Sequence, residues 1–187
     1  MKKITLILLS FTILLIGMQG CKNDSDDGSG LMSLALFSGL NNGTGTGTVN
    51  IYAGAGSTNS SGVWVPGYWK NGVWNAVPAL DATKYSSAFL VVSGSDVYLA
   101  GLSTNSSGVW VAGYWKNKVW NAVPSLDATK WSMVDFIVIS GTDVYLGGVS
   151  TNSSGVLVPG YWKNKVWNEL PALDATKDSW VNSLVVQ

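Results

Sequence analysis

The chain contains no histidine, no arginine and one cysteine, and only 12% of its 187 residues are charged. Each shortage removes a class of chemistry. Without His there is no His-based triad, no His-ligated zinc and no imidazole acid–base step. Without Arg there is no bidentate grip on phosphate. Eleven Lys against eleven acidic residues leave no basic surplus for neutralising a nucleic acid, so a nucleic-acid partner is not expected. One Cys makes neither an internal disulfide nor a four-Cys metal centre. Glu169 is the sole Glu, and the Asp residues mostly recur with the repeats described below instead of forming one asymmetric pair. No GxSxG or SxxK motif accompanies the plentiful Ser and Lys, and no Asp-rich twelve-residue calcium loop occurs. The expectation is no catalytic residue, no metal and no cofactor, with a polysaccharide-acting enzyme as the remote alternative. What is abundant is Gly, at 22 residues, and Trp, at ten. That composition suits a binding surface better than a reaction centre.

Lys2 and Lys3 precede an apolar run over residues 4–16, and Gly17, Met18, Gln19, Gly20 and Cys21 follow. A charged start, a short apolar stretch and a small residue before a cleavage point make a secretory signal. The 13-residue run is short of the roughly 20 residues a membrane-spanning helix needs. The tetrad Met18-Gln19-Gly20-Cys21 resembles the cleavage site of a bacterial lipoprotein signal, with Gln19 in place of the usual small residue. The resemblance implies loss of residues 1–20 and lipidation of Cys21, which attaches the chain to a membrane through acyl groups at about 0.8 kcal/mol per buried CH₂. The acidic stretch after Cys21 (KNDSDDGSG) resembles the export signal of Bacteroidetes-type surface lipoproteins, and spirochaete lipoproteins look similar. An outer-membrane, cell-surface location is therefore expected, with the periplasmic face as the alternative. Residues 21–47 read as a lipidated, flexible acidic and Gly-rich tether, although the apolar stretch 31–40 within it suits either a membrane interface or packing on the domain.

Residues 48–187 read as a three-repeat β domain. The segment 57–84 (STNSSGVWVPGYWKNGVWNAVPALDATK) is matched at 25 of 28 positions by residues 103–130 and at 24 by residues 150–177. The first step is 46 residues and the second 47, the extra residue falling near Val134. Periods of this size signal propellers, solenoids or arrays. Each unit holds four strand-like runs. In the second, Phe89 to Val92 is continuously apolar, as for a strand buried on both faces. Asp96 to Leu99 follows across a Gly94-Ser95 turn, then residues 109–116, then residues 119–123 after Asn117-Lys118. In the first unit that last turn is Asn71-Gly72, the pair best suited to a two-residue hairpin. Pro78, Pro124 and Pro171 end the fourth run. No helical period is present, so the fold class is all-β.

The spacing of SGSDVYLAG and GYWKNGVW, met at residues 93–101 with 113–120, at 140–148 with 160–167 and partly at 49–55 with 67–74, resembles bacterial repeat proteins built on VYVAG and YWKNG motifs. That resemblance implies four-stranded, β-propeller-like blades. The third unit stops short of its second strand, and the missing piece stands at the other end as residues 48–56. The N- and C-terminal segments are therefore expected to pair and close three blades into a ring. Propellers usually have four to eight blades. Two chains joined as a homodimer with six blades, or a β-trefoil, which closes with three repeats, are the alternatives.

The strictly repeated Trp69, Trp115 and Trp162, with Trp74, Trp120 and Trp167, read as filler between sheets. Trp64 and Trp110, replaced by Leu157 in the third unit, read as core or interface. Two loops share one rim of each blade, STNSSG and LDATK. Candidate ligand-binding residues there are Asn59, Asn105 and Asn152, Asp81, Asp127 and Asp174, and Tyr85 and Trp131, which follow the second loop. Amides, carboxylates and ring faces suit carbohydrate hydroxyls and polar protein surfaces. For the three Asp, shaping their own turns is the simpler role. The expected function is a lipid-anchored, surface-exposed, non-catalytic binding protein for glycans or proteins; the alternative is a structural subunit that oligomerises to complete a propeller.

Overall fold

The computed structural model describes residues 49–187; the expected signal segment, Cys21 and the whole of the expected tether lie outside the described residues. Among the described residues there is no helix, hence none long and apolar enough to cross a membrane. Three antiparallel sheets account for every strand. The first is β1 (Tyr52–Thr58), β2 (Trp64–Lys70) and β3 (Val73–Ala76). The second runs β4 (Ser86–Ser93), β5 (Asp96–Thr104), β6 (Trp110–Lys116) and β7 (Val119–Ala122). The third runs β8 (Ser132–Ser140), β9 (Asp143–Thr151), β10 (Leu157–Lys163) and β11 (Val166–Glu169).

Local chemistry sets these hairpins. Asn71-Gly72, Asn117-Lys118 and Asn164-Lys165 all have positive φ at both positions, between 49° and 80°, the geometry that matches the twist of the flanking strands. The residue that lengthens the second period is Asp135. It sits in β8 as a β-bulge, where the pairing register shifts between Val134 and Phe136.

The core lies between sheets. Tyr68, Val77, Ala88, Val97, Leu99 and Trp115 are buried between the first and second, and a larger cluster around Tyr98, Val134, Leu146 and Trp162 fills the space between the second and third. The repeated Trp thus do fill space between sheets: Trp115 and Trp162 are wholly buried, and each fully buried side chain of this size is worth roughly 1.5–3 kcal/mol. Each also locks one sheet to the one before it, Trp115 Nε1 donating to the Pro78 carbonyl at 2.7 Å and Trp162 Nε1 to the Pro124 carbonyl at 2.8 Å.

Two expectations are corrected. The N- and C-terminal segments do not pair: among the described residues β1 is bonded only to β2, and residues 178–187 belong to no strand. A Cβ placed on Gly147 of β9 would meet Leu184 Cβ at 3.3 Å and Val181 Cγ1 at 3.5 Å, so that segment lies on β9. Leu90 of β4 lies in the same way against Gly54 of β1. The packing step from one sheet to the next is simply taken again, and it carries the segment onto β9 instead of round to β1. No sheet closes, and each repeat forms its own sheet, unlike the shared barrel of a trefoil. The second correction concerns β4, expected to be buried on both faces. Phe89 and Val92 are exposed because β4 is an edge strand; its two faces are covered only in part, Leu90 packing on the cluster shared with the first sheet and Val91 on the one shared with the third.

Candidate functional site

The two loop families do meet on one rim. Lys84 Nζ, from the first LDATK loop, donates to the Ser106 carbonyl of the second STNSSG loop at 2.9 Å. Within that rim the polar candidates are largely committed to shaping their own turns. Asp81 Oδ1 accepts from the Thr83 amide at 2.9 Å and from Thr83 Oγ1 at 2.6 Å. Asp127 with Thr129 and Asp174 with Thr176 repeat the arrangement. The Thr hydroxyl first, and then its amide, hold all three carboxyls below their ordinary pKa. Asn59 Oδ1 accepts from the Ser61 and Val63 amides, Asn105 Oδ1 from Val109 and Asn152 Oδ1 from Val156, each at 2.9–3.0 Å. What these Asn have left to offer is the Nδ2 donor pair.

Asn105 lines a shallow depression of about 400 Å³ together with Trp110, Ala128 and Lys130. Asn152 lines one of about 220 Å³ with Leu157, Ala175 and Lys177. The three Asn are not gathered at one point; each serves its own unit. Neither depression is lined by the Asp carboxylates.

Tyr85 and Trp131 belong to a larger feature. Their rings form a continuous line across the second and third sheets: Tyr85 to Trp110 at 6.0 Å, Trp110 to Trp131 at 5.9 Å, and Trp131 to Trp180 at 6.2 Å between centroids. Successive planes are tilted by 39°, 66° and 35°, so each ring shows part of a face and an edge. Tyr85 is 45% exposed, Trp110 38% and Trp180 49%; Trp64, the counterpart of Trp110 in the first sheet, is 40% exposed. Trp110 and Trp64 are thus surface residues, not core. They begin β6 and β2, beside the STNSSG loop, and that position is the signal that places them on the rim. Trp180 is aligned with Met133 and Ser87, so repetition does not mark it. Leu157, which stands where the other units have Trp, is buried, and here Trp180 meets Trp131.

A second set of charges stands near the two-residue hairpin turns. Lys116 bonds Asp96 at 2.8 Å and lies 5.3 Å from the Tyr98 ring centroid; Lys163 bonds Asp143 at 3.1 Å and lies 5.2 Å from the Tyr145 ring. Hydrogen bonds from Lys116 and Asn117 lower the Asp96 pKa, and those from Asn164 and Lys163 lower that of Asp143. The first sheet has Asn50 at this place, which accepts from Asn71 Nδ2 at 3.0 Å. Among the described residues no cluster of three acidic, Cys or His side chains is arranged to hold a metal ion.

No family model, no curated protein and no solved structure matches the chain.

Proposed function

We propose that the chain is a lipid-anchored, surface-exposed, non-catalytic binding protein. On this reading its three sheets act as propeller-like blades, and the aromatic line on their shared rim holds a glycan. The line of Tyr85, Trp110, Trp131 and Trp180 carries the reading. Aromatic rings that stay partly exposed while touching one another offer apolar faces to sugar C–H groups without collapsing into the core. Beside them, Asn105 Nδ2 and Lys130 supply donors for hydroxyls, while the Asp carboxylates are held back by Thr. A protein partner would ask for deeper anchor pockets than these open depressions. Repetition of weak contacts along the rim adds avidity.

The test is a glycan array probed with the full chain and with Trp131→Ala, alongside a panel of matrix proteins. Binding to a glycan class that Trp131→Ala weakens supports the reading. A chain that binds no glycan, or binds equally well without the indole, overturns it. A second reading, a subunit that assembles with other copies, is favoured by one observation: β1 is far more exposed than its counterparts in the other sheets.

A further inference from the structure

Near-identical repeats act as internal controls. β1, β5 and β9 occupy one position in the repeat, yet only β1 has a free edge among the described residues. Leu99 and Leu146 are 0% and 1% exposed, whereas Ala53 at the same place is exposed. Ser103 and Ser150 are wholly buried and Ser57 is not; Thr104 and Thr151 are buried and Thr58 is exposed. The difference is one strand. β5 is covered by β4, and β9 by β8.

The sequence position of β4 and β8 is held, in the third unit, by residues 179–186. They are seated on β9 as β4 is seated on β1; Ser179 N donates to the Leu157 carbonyl at 3.0 Å, and among the described residues the segment pairs with no strand. Their burial pattern resembles that of a bulged strand: Val181, Leu184 and Val186 are half-buried, while Asn182 and Ser183 are both exposed, at the place of the Asp135 bulge. Other groups are left without their usual partner at the same junction. Leu80 N donates to Ser103 Oγ and Leu126 N to Ser150 Oγ, both at 2.8 Å. By the same rule Leu173 N would require Ser57, and Leu173 is fully exposed. Trp115 and Trp162 reach the Pro78 and Pro124 carbonyls, while Trp69, whose rule-bound acceptor is Pro171, is only half-buried.

Resting on the assembly reading, we propose that β1 of one copy takes residues 179–186 of a second copy as its missing strand, and gives its own in return. An open strand edge and an unpaired extended segment of matching pattern are complementary surfaces for strand addition. The occupant is a second copy because the segment lies on the third sheet of its own chain, one further packing step along the array. Three sheets per copy make six for two copies, within the four to eight that close a ring, whereas three or nine fall outside. The register follows β8 on β9, where Ser132 faces Ser150 and Val134 faces Gly148. It sets Ser179 opposite Ser57, Trp180 opposite Gly56 and Val181 opposite Ala55. Trp180 would thereby come beside Trp64 of the second copy, and the aromatic line would run on from one copy into the next. One inter-sheet bond is lost at this junction: Lys118 and Lys165 reach Asn75 and Asn121, but Gly72 stands at their place in the first sheet.

The Ser86 and Ser103 hydroxyls, which mark the same register in the second sheet, lie 2.9 Å apart, close enough for a disulfide between cysteines placed there. Two full-length copies with different tags are co-expressed, Ser57→Cys in one and Ser179→Cys in the other, and oxidised. Each variant paired with wild type controls for Cys21, and the detergent-solubilised wild type is weighed in solution. The expected result is a two-chain mass, and a two-chain disulfide product only when both new cysteines are present. A two-chain mass without that product overturns strand exchange and leaves assembly through another surface. A one-chain mass, or a bond closed within one copy by the double variant S57C/S179C, overturns strand exchange and the assembly reading together. Neither outcome alters the glycan test.

Discussion

Asp135 offers a measurement whose size can be worked out beforehand. It is the residue that makes the second period one longer than the first, and the bulge holds its side chain half-buried, with no hydrogen bond or ion pair to it among the described residues. Burial raises its pKa from the ordinary 3.8 to about 6. Between these values the folded chain keeps a proton that the unfolded chain has released, so this group makes stability fall as pH rises through the window. At 1.36 kcal/mol per unit the penalty above pH 6 would be roughly 3 kcal/mol, and partial exposure to water reduces it to about 1–2 kcal/mol. Asp135→Asn removes the charge and keeps the shape. Its stability, from urea unfolding followed by Trp fluorescence, should match wild type near pH 4 and exceed it by about 1–2 kcal/mol at pH 7. The five carboxyls with lowered pKa act with the opposite sign, losing their contribution as pH falls below the ordinary range, but they are common to both proteins and cancel in the difference. A difference that does not vary with pH would show that burial of this carboxylate is not what costs stability.

Other outcomes follow from the same geometry. Trp115→Phe should lose the bond to Pro78 together with packed area, lowering unfolding free energy by about 2–3 kcal/mol, whereas Trp69→Phe in the half-buried equivalent position should cost under about 1 kcal/mol. Equal losses in a urea titration would contradict the unequal burial. Trp110→Ala should leave thermal stability nearly unchanged while weakening rim binding by about tenfold, read by titration with an array-positive glycan. Thr129→Ala should let the Asp127 carboxyl titrate nearer its ordinary value, visible as an upward shift in its NMR titration; an unmoved midpoint would mean the hydroxyl is not the cause. Cys21→Ala should release the protein from the membrane fraction, and retention there would argue against lipidation.

Much of the fold could be read from the residues because repetition supplies three versions of each decision. Four strand runs per unit, the Asn-Gly and Asn-Lys hairpins, the buried role of Trp115 and the odd residue near Val134 all rest on local chemistry that the chain states more than once. Ring closure could not be read in this way. It depends on the angle between successive sheets, which is set by how Leu90 meets Gly54 and Leu184 meets Gly147, and spacing along the chain is blind to that angle. The rim was half legible. Loop composition pointed to Tyr85 and Trp131, but the replacement of Trp by Leu157 suggested core or interface for Trp110, and the copies differ: Leu157 is buried, whereas the larger Trp64 and Trp110 extend to the surface. Trp180 carried no repeat signal at all.

The contacts between sheets are made by the same positions at each step: a hairpin-turn lysine to an asparagine of the preceding sheet, an indole to the carbonyl of a preceding proline, a leucine amide to a buried serine. An array built so can be lengthened or shortened by whole units through unequal recombination in its gene, and every new neighbour would be an old one. Copy number is then a trait that varies without any residue having to be reinvented, and with it the span of surface that a single molecule presents.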